Sequence, residues 1–152
     1  MRIKHHQIRL LNEDEVKKYD LYGFCWVVTR EYSYENGDDY ITVPIGFLTD
    51  GASSIGPDTG CSWIFHDYLY ATHKFSDGRD CSREAADQVM VNILHQEAQD
   101  AEKTYQRLFY MGYKTVVSWI TYYNVFSAFS SAWESSGARG CLFLEELREE
   151  FL

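Results

Sequence analysis

The only two prolines of this 152-residue chain, Pro44 and Pro57, lie close together, and no Gly/Ser-rich linker or internal repeat divides the rest. Proline removes a backbone donor and interrupts helices and central strands. The residue pattern differs on the two sides of residues 44–57, strand-like before and helical after. Before it, Phe24 to Tyr32 (FCWVVTREY) and Tyr40 to Val43 (YITV) are rich in β-branched and aromatic residues, with turn chemistry between them at Glu35-Asn36-Gly37-Asp38-Asp39. Residues 24–43 read as a β-hairpin with its loop near Asn36-Gly37, and Pro44 and Gly46 end or bend its second strand.

After the irregular stretch 49–60 the pattern is helical. Residues 62–73 wind as one helix, and the polar turn Ser76 to Asp80 leads to a second. That helix has Ser82 as its N-cap and Ala85, Ala86, Val89, Met90, Ile93 and Leu94 on its apolar face. A third helix spans 100–131 with a kink at Gly112, and Gly137 and Gly140 break the chain. The acidic end, LEELREE, is either a last helical turn or a frayed terminus. The fold class expected is α+β: an N-terminal hairpin followed by a helix-dominated half, in one domain over residues 1–152. Residues 1–60 form its strand and loop half, 61–133 its helical half and 134–152 a short acidic segment.

Acidic residues outnumber basic ones by 23 to 14, for a net charge of −9, which repels phosphate backbones and argues against general nucleic-acid binding. The N-terminus has no apolar run of signal-peptide length. The uncharged stretch Thr115 to Trp133 has the length of a membrane span, but hydroxyl and amide side chains recur throughout it. A mostly buried, aromatic-rich helix is the better reading, and no transmembrane span is expected. Cys25, Cys61, Cys81 and Cys141 contain no C-x-x-C pair, so zinc-finger spacing is absent and reduced thiols are expected. His5-His6 beside Arg2 and Lys4 reads as a solvated terminus, His73 and His95 lack ligand-spaced partners, and no nucleotide-loop, serine-hydrolase or zincin motif occurs.

The residues with chemistry in them lie between Val43 and Asp87. Asp50-Gly51 opens a glycine-rich loop, and the next helix carries His66 and Asp67 side by side. Adjacent helical positions diverge by about 100°, so these two flank a pocket rather than grip one atom. Tyr70 lies on the same side as both. Asp87 sits at the edge of the apolar face of the following helix, where antiparallel packing across a short turn brings it toward His66. A carboxylate on one imidazole nitrogen fixes the tautomer and leaves the other as a base toward water. Asp67, with Asp50 and the loop carbonyls, then offers hard oxygen ligands suited to Ca²⁺ or Mg²⁺. The same residues also admit an account without catalysis, in which Asp50 and Ser53 are turn-forming or capping groups.

The ordered motifs V43-P-x-G-F-x-T-D-G-A-S-S54, H66-D-Y-L-Y70 and R83-E-A-A-D87 resemble the uncharacterised family of phage, prophage and bacterial proteins catalogued as domain of unknown function 1353. The resemblance covers about residues 40 to 125 and departs after Ser54, where Ile55-Gly56-Pro57 replaces the family's proline and basic residue. It implies a phage or prophage origin, with Arg83 part of the shared pattern, and no established activity.

A more distant similarity is to the compact bacterial and fungal phospholipase A₂ enzymes. It rests on Asp50-Gly51-Ala52-Ser53, Pro57-Asp58, Cys61, His66-Asp67, Tyr70 and Asp87. That likeness implies His66 as general base, Asp67 as calcium ligand and Asp87 as the carboxylate that orients His66. Ala52 stands where those enzymes have cysteine, and the gap from Cys61 to His66 is longer.

Two functions follow from these readings. One is a metal-assisted hydrolase of an ester such as a phospholipid, using a divalent cation, Ca²⁺ first among them. Its third helix (Trp119, Tyr122, Tyr123, Phe126, Phe129) would supply either an acyl slot or core. The other is a non-catalytic virion, tail or host-interaction protein in which the His/Asp cluster is a structural network and phage proteins are the partners. The corresponding locations are the host cytoplasm or the virion. The hydrolase needs His66 and Asp67 beside an open pocket, whereas the network buries and satisfies them.

Overall fold

The computed structural model describes residues 7–24, 26–49, 61–100, 107–108, 111–112, 115, 133 and 143–152. Within these, strand β1 (Ile8–Leu10) is followed by helix α1 (Glu13–Tyr19), strands β2 (Trp26–Val28), β3 (Tyr32–Asn36), β4 (Asp39–Val43) and β5 (Leu48–Thr49), and helices α2 (Ser62–Thr72), α3 (Arg83–Asp100) and α4 (Glu145–Glu149). Strands precede the long helices, as the α+β reading expects.

The hairpin forms, but later in the chain than the residue types suggest. It pairs β3 with β4, with Tyr32 opposite Val43 and Tyr34 opposite Ile41. Those four side chains are buried, and Ser33 and Glu35 between them are exposed, the alternation of a one-faced sheet. Gly37 takes φ +61 at the first central position of the two-residue turn, where a type II′ turn favours glycine.

The run Phe24 to Tyr32 does not form one strand. Its apolar part, β2, is the centre of a separate antiparallel sheet ordered β1-β2-β5. The polar residues Thr29, Arg30 and Glu31 interrupt it, and the Thr29 amide donates to the Gln7 carbonyl at 2.7 Å. Both faces of this sheet are covered. Val28 joins the core made by the hairpin, α2 and α3, while Val27 packs with Leu48, Leu21 and Leu147.

Helix α1 starts in a capping box. The Asn12 side chain accepts the Glu15 amide, and the Glu15 carboxylate accepts the Asn12 amide, each at 2.8 Å. Helix α4 is the ordered form of the acidic end. Leu147 is its buried anchor, and the Leu144 amide donates to the Gly46 carbonyl.

Helices α2 and α3 are antiparallel, because Cys61 meets Glu97 at one end while Tyr70 meets Asp87 toward the other. The connecting turn is closed by Phe75 N–H donating to Arg79 O, and the Cys81 amide donates back to His73 O at 2.8 Å. Ser82 caps α3 as expected, its hydroxyl accepting the Ala85 amide at 3.2 Å. The same turn docks on the hairpin: the Thr42 amide donates to Ser76 Oγ at 2.6 Å, and Arg79 donates to the Asp38 carbonyl. Phe65, Ile64 and Leu69 of α2 are almost wholly buried, each worth about 1.5–3 kcal/mol. That packing fixes the rotation of α2, and with it the side of the helix on which His66 stands.

Of the expected third helix, residues 107–108, 111–112 and 115 are helical, and the kink geometry and the aromatic residues Trp119 to Phe129 lie outside the described residues. Among the described residues no helix is long and apolar enough to cross a membrane. Cys61 and Cys81 are buried free thiols; Cys25 and Cys141 lie outside the described residues.

Candidate functional site

The antiparallel pair brings His66, Tyr70 and Asp87 together between α2 and α3. His66 Nε2 is 2.9 Å from Asp87 Oδ1, and the Tyr70 hydroxyl donates to that same oxygen at 2.7 Å. The two rings, one helical turn apart, lie with centroids 4.0 Å apart and planes tilted by 36°. An ionised Asp87 only accepts, so Nε2–H donates to it and the imidazole lone pair lies on Nδ1. Nδ1 faces Asp67 Oδ1 at 3.9 Å, the divergence expected of adjacent helical residues.

Asp67 is held from the sheet side. Thr49, at the end of β5 and buried, donates its hydroxyl to Asp67 Oδ2. The Asp67 side chain keeps 26% of its surface exposed, whereas His66 and Asp87 are buried. The cluster thus opens to its surroundings on the Asp67 side, which is the side that Nδ1 faces. Arg83 begins α3 with 14% of its side chain exposed and approaches Glu84 at 3.4 Å. Asp50 and Ser53 lie outside the described residues.

The electrostatics follow from burial against charge. Desolvation pulls the His66 imidazole down, but hydrogen bonding and charge from Asp67 and Asp87 outweigh it, and its pKa stands above the ordinary value. Burial, then the adjacent Asp87 carboxylate, drives the Tyr70 phenol far up, against a smaller opposing pull from Arg83. Tyr70 therefore remains a hydrogen-bond donor at any physiological pH. An imidazole held this way can accept a proton on Nδ1 and be stabilised as imidazolium by Asp87.

Metal ligation is a different matter. Ca²⁺ takes about six to eight oxygen ligands. Among the described residues, no group of three or more His, Cys, Asp or Glu side chains is disposed to hold a metal ion. One Asp67 oxygen accepts from Thr49 and the other faces His66. The described residues do not by themselves make a calcium site.

Three participants escape the reading from spacing. Thr49 orients Asp67. Trp133 lies edge-on to the Tyr70 ring at 5.0 Å and stacks on His73 at 3.9 Å. Glu97, at the far end of α3, accepts the Cys61 amide at 2.6 Å where α2 begins. Glu97 was detectable, because it continues the Ala86, Val89, Ile93 series into the core-facing row. Thr49 and Trp133 depend on contacts made across the fold.

A family model described as a protein of unknown function (DUF1353) matches residues 26–116, more than half of the chain and all of the His66, Asp67, Tyr70, Arg83 and Asp87 cluster. No curated protein and no solved structure matches the chain.

Proposed function

This chain belongs to the DUF1353 family, and we propose that it is an ester hydrolase of phospholipase A₂-like logic, with His66 as the base that activates water. The observation that carries the reading is the Asp87 carboxylate gripped by both His66 Nε2 and the Tyr70 hydroxyl, which orients the imidazole so that Nδ1 points to the more exposed Asp67 side. In the proposed reaction Nδ1 takes a proton from water as the water oxygen bonds to the ester carbonyl carbon. Asp87 stabilises the imidazolium. The carbon–oxygen bond to the leaving alcohol then breaks, and His66 returns the proton to the departing oxygen. Asp67, fixed by Thr49, adds negative potential beside the imidazolium.

Phospholipids are the first substrates to test, on the likeness of His66-Asp67, Tyr70 and Asp87 to that enzyme class. The assay is fatty-acid release from phosphatidylglycerol vesicles with EDTA or with Ca²⁺, so that any need for a cation is read separately. Turnover by the wild type that is lost in His66→Gln, with the fold retained, supports the reading. Equal turnover in both proteins removes it.

The burial of His66 and Asp87, 9% and 4% exposed, favours a second reading, the structural network of a phage virion, tail or host-interaction protein. Under it, His66→Gln lowers the melting temperature and no ester is turned over.

A further inference from the structure

Trp133 lies beyond the span matched by the family and beyond every motif that marks the site. It is nonetheless fastened to α2 at two places. Its indole meets the Tyr70 ring edge-on, at 5.0 Å between centroids and 90° between planes. It also stacks on the His73 imidazole at 3.9 Å and 11°, and its carbonyl oxygen lies 3.0 Å from His73 Nε2. His73 is the C-cap of α2 in the left-handed conformation, φ 55, uncommon for a residue other than glycine. The stack, the Nε2 contact and the Cys81 amide on the His73 carbonyl hold it there. Trp133 is thus anchored by His73 and rests against Tyr70, and Tyr70 is the residue that fixes Asp87 against His66.

We infer that Trp133 is a positioning residue for the His66 centre, acting through Tyr70, with His73 as its anchor. The inference rests on the reading of His66 as the water-activating base. The physical ground is packing. An edge-on aromatic neighbour restricts the tilt of the Tyr70 ring, and removing the indole leaves space into which that ring can move. A tilt displaces the hydroxyl at its far end, and the 2.7 Å bond to Asp87 Oδ1 has little tolerance for displacement. Misplacement of a reacting group by about 1 Å costs on the order of 100-fold in rate.

The test uses the full-length chain and 4-nitrophenyl octanoate as the probe, with His66→Gln measured in parallel. Trp133→Ala should lower kcat by about 10- to 100-fold with KM within about twofold, because substrate contacts are not removed. Trp133→Phe, which keeps an aromatic edge against Tyr70, should restore most of kcat. In a Tyr70→Phe background, which already lacks the bond to Asp87, Trp133→Ala should lower kcat little further. His73→Ala, which releases the anchor while keeping both rings of the Trp133–Tyr70 contact, loosens that contact, should reduce kcat in the same direction and decides the matter if Trp133→Ala does not fold. Wild-type kcat in Trp133→Ala or His73→Ala, with His66→Gln inactive, overturns the inference alone. So does an equal loss from Trp133→Ala in the presence and absence of the Tyr70 hydroxyl. No turnover by the wild type, or full turnover by His66→Gln, overturns the base assignment and this inference with it.

Discussion

Asp87 shows how one carboxylate can set the energetics of a cluster. It accepts two hydrogen bonds while 4% exposed, so its loss strands two buried donors rather than one. Removing one partner of a buried charged pair costs about 3–5 kcal/mol, whereas deleting one hydroxyl from a hydrogen bond costs about 1 kcal/mol. Asp87→Ala should therefore destabilise the protein by about 3 kcal/mol in urea unfolding, and Tyr70→Phe by about a third of that. Equal costs for the two would show that Asp87 does not hold His66. Gly46 is a second position where one residue decides the outcome. It has φ +88, and a Cβ there would lie 3.0 Å from the Leu144 carbonyl oxygen and 3.1 Å from Arg148 Cβ. Gly46→Ala should cost about 2 kcal/mol in the same measurement, because neither the backbone conformation nor the space accepts it. Site legibility divides at this scale. His66, Asp67, Tyr70 and Asp87 were readable because helical geometry relates close neighbours and a short turn forces the helices antiparallel. Thr49 was not, since it meets Asp67 only after β5 pairs with β2.

Among the elements, the three best determined by local chemistry are the hairpin turn at Gly37, the Ser82 cap and the long helices. The sheet assignment of β2 was not local. Its β-branched and aromatic composition suits a hairpin equally well, and only the polar break at Thr29-Arg30-Glu31 hands its neighbours to β1 and β5. Helix α1 carried a readable signal, the Asn12-x-x-Glu15 capping box, in a segment otherwise short of apolar periodicity.

The α2–α3 pair holds a titratable contact at the end away from the turn. Burial pushes the Glu97 carboxyl up to about 7 from 4.5, against the lowering effect of the Cys61 amide that it accepts. Because the folded value lies above the unfolded one, the stabilisation belongs to the protonated form. It is fully present below pH 4.5 and is lost as pH rises through 7. The shift is worth about 3 kcal/mol at most. Glu97→Gln, neutral throughout, should remove the Glu97 share of the fall in unfolding free energy between pH 5 and pH 8 and leave the share of His66, whose raised pKa also costs stability as pH rises. A variant that loses stability over that range as steeply as the wild type would place the titration elsewhere.

At the scale of the whole molecule, the three-stranded sheet is the partition between two apolar clusters, with Val28 on one side and Val27 on the other. Leu147 closes the second cluster onto Leu21, Val27 and Leu48 from the far end of the sequence, where the acidic composition of its helix gives little sign of a core role. Leu147→Ala should cost about 2–5 kcal/mol by calorimetry or urea unfolding, as for any large buried side chain, despite lying outside the span matched by the family. A cost below 1 kcal/mol would mean that the second cluster closes without α4. These layers hold α2 in place, and α2 presents His66 between Asp87 and Asp67. The most direct measurement of that arrangement's purpose is fatty-acid release from phosphatidylglycerol vesicles by the wild type and by His66→Gln, with melting temperatures recorded on the same samples. The account predicts turnover by the wild type and a loss of at least about 100-fold in a folded His66→Gln protein. Undiminished turnover in His66→Gln, or a wild type without turnover beside a variant whose melting temperature collapses, would contradict it.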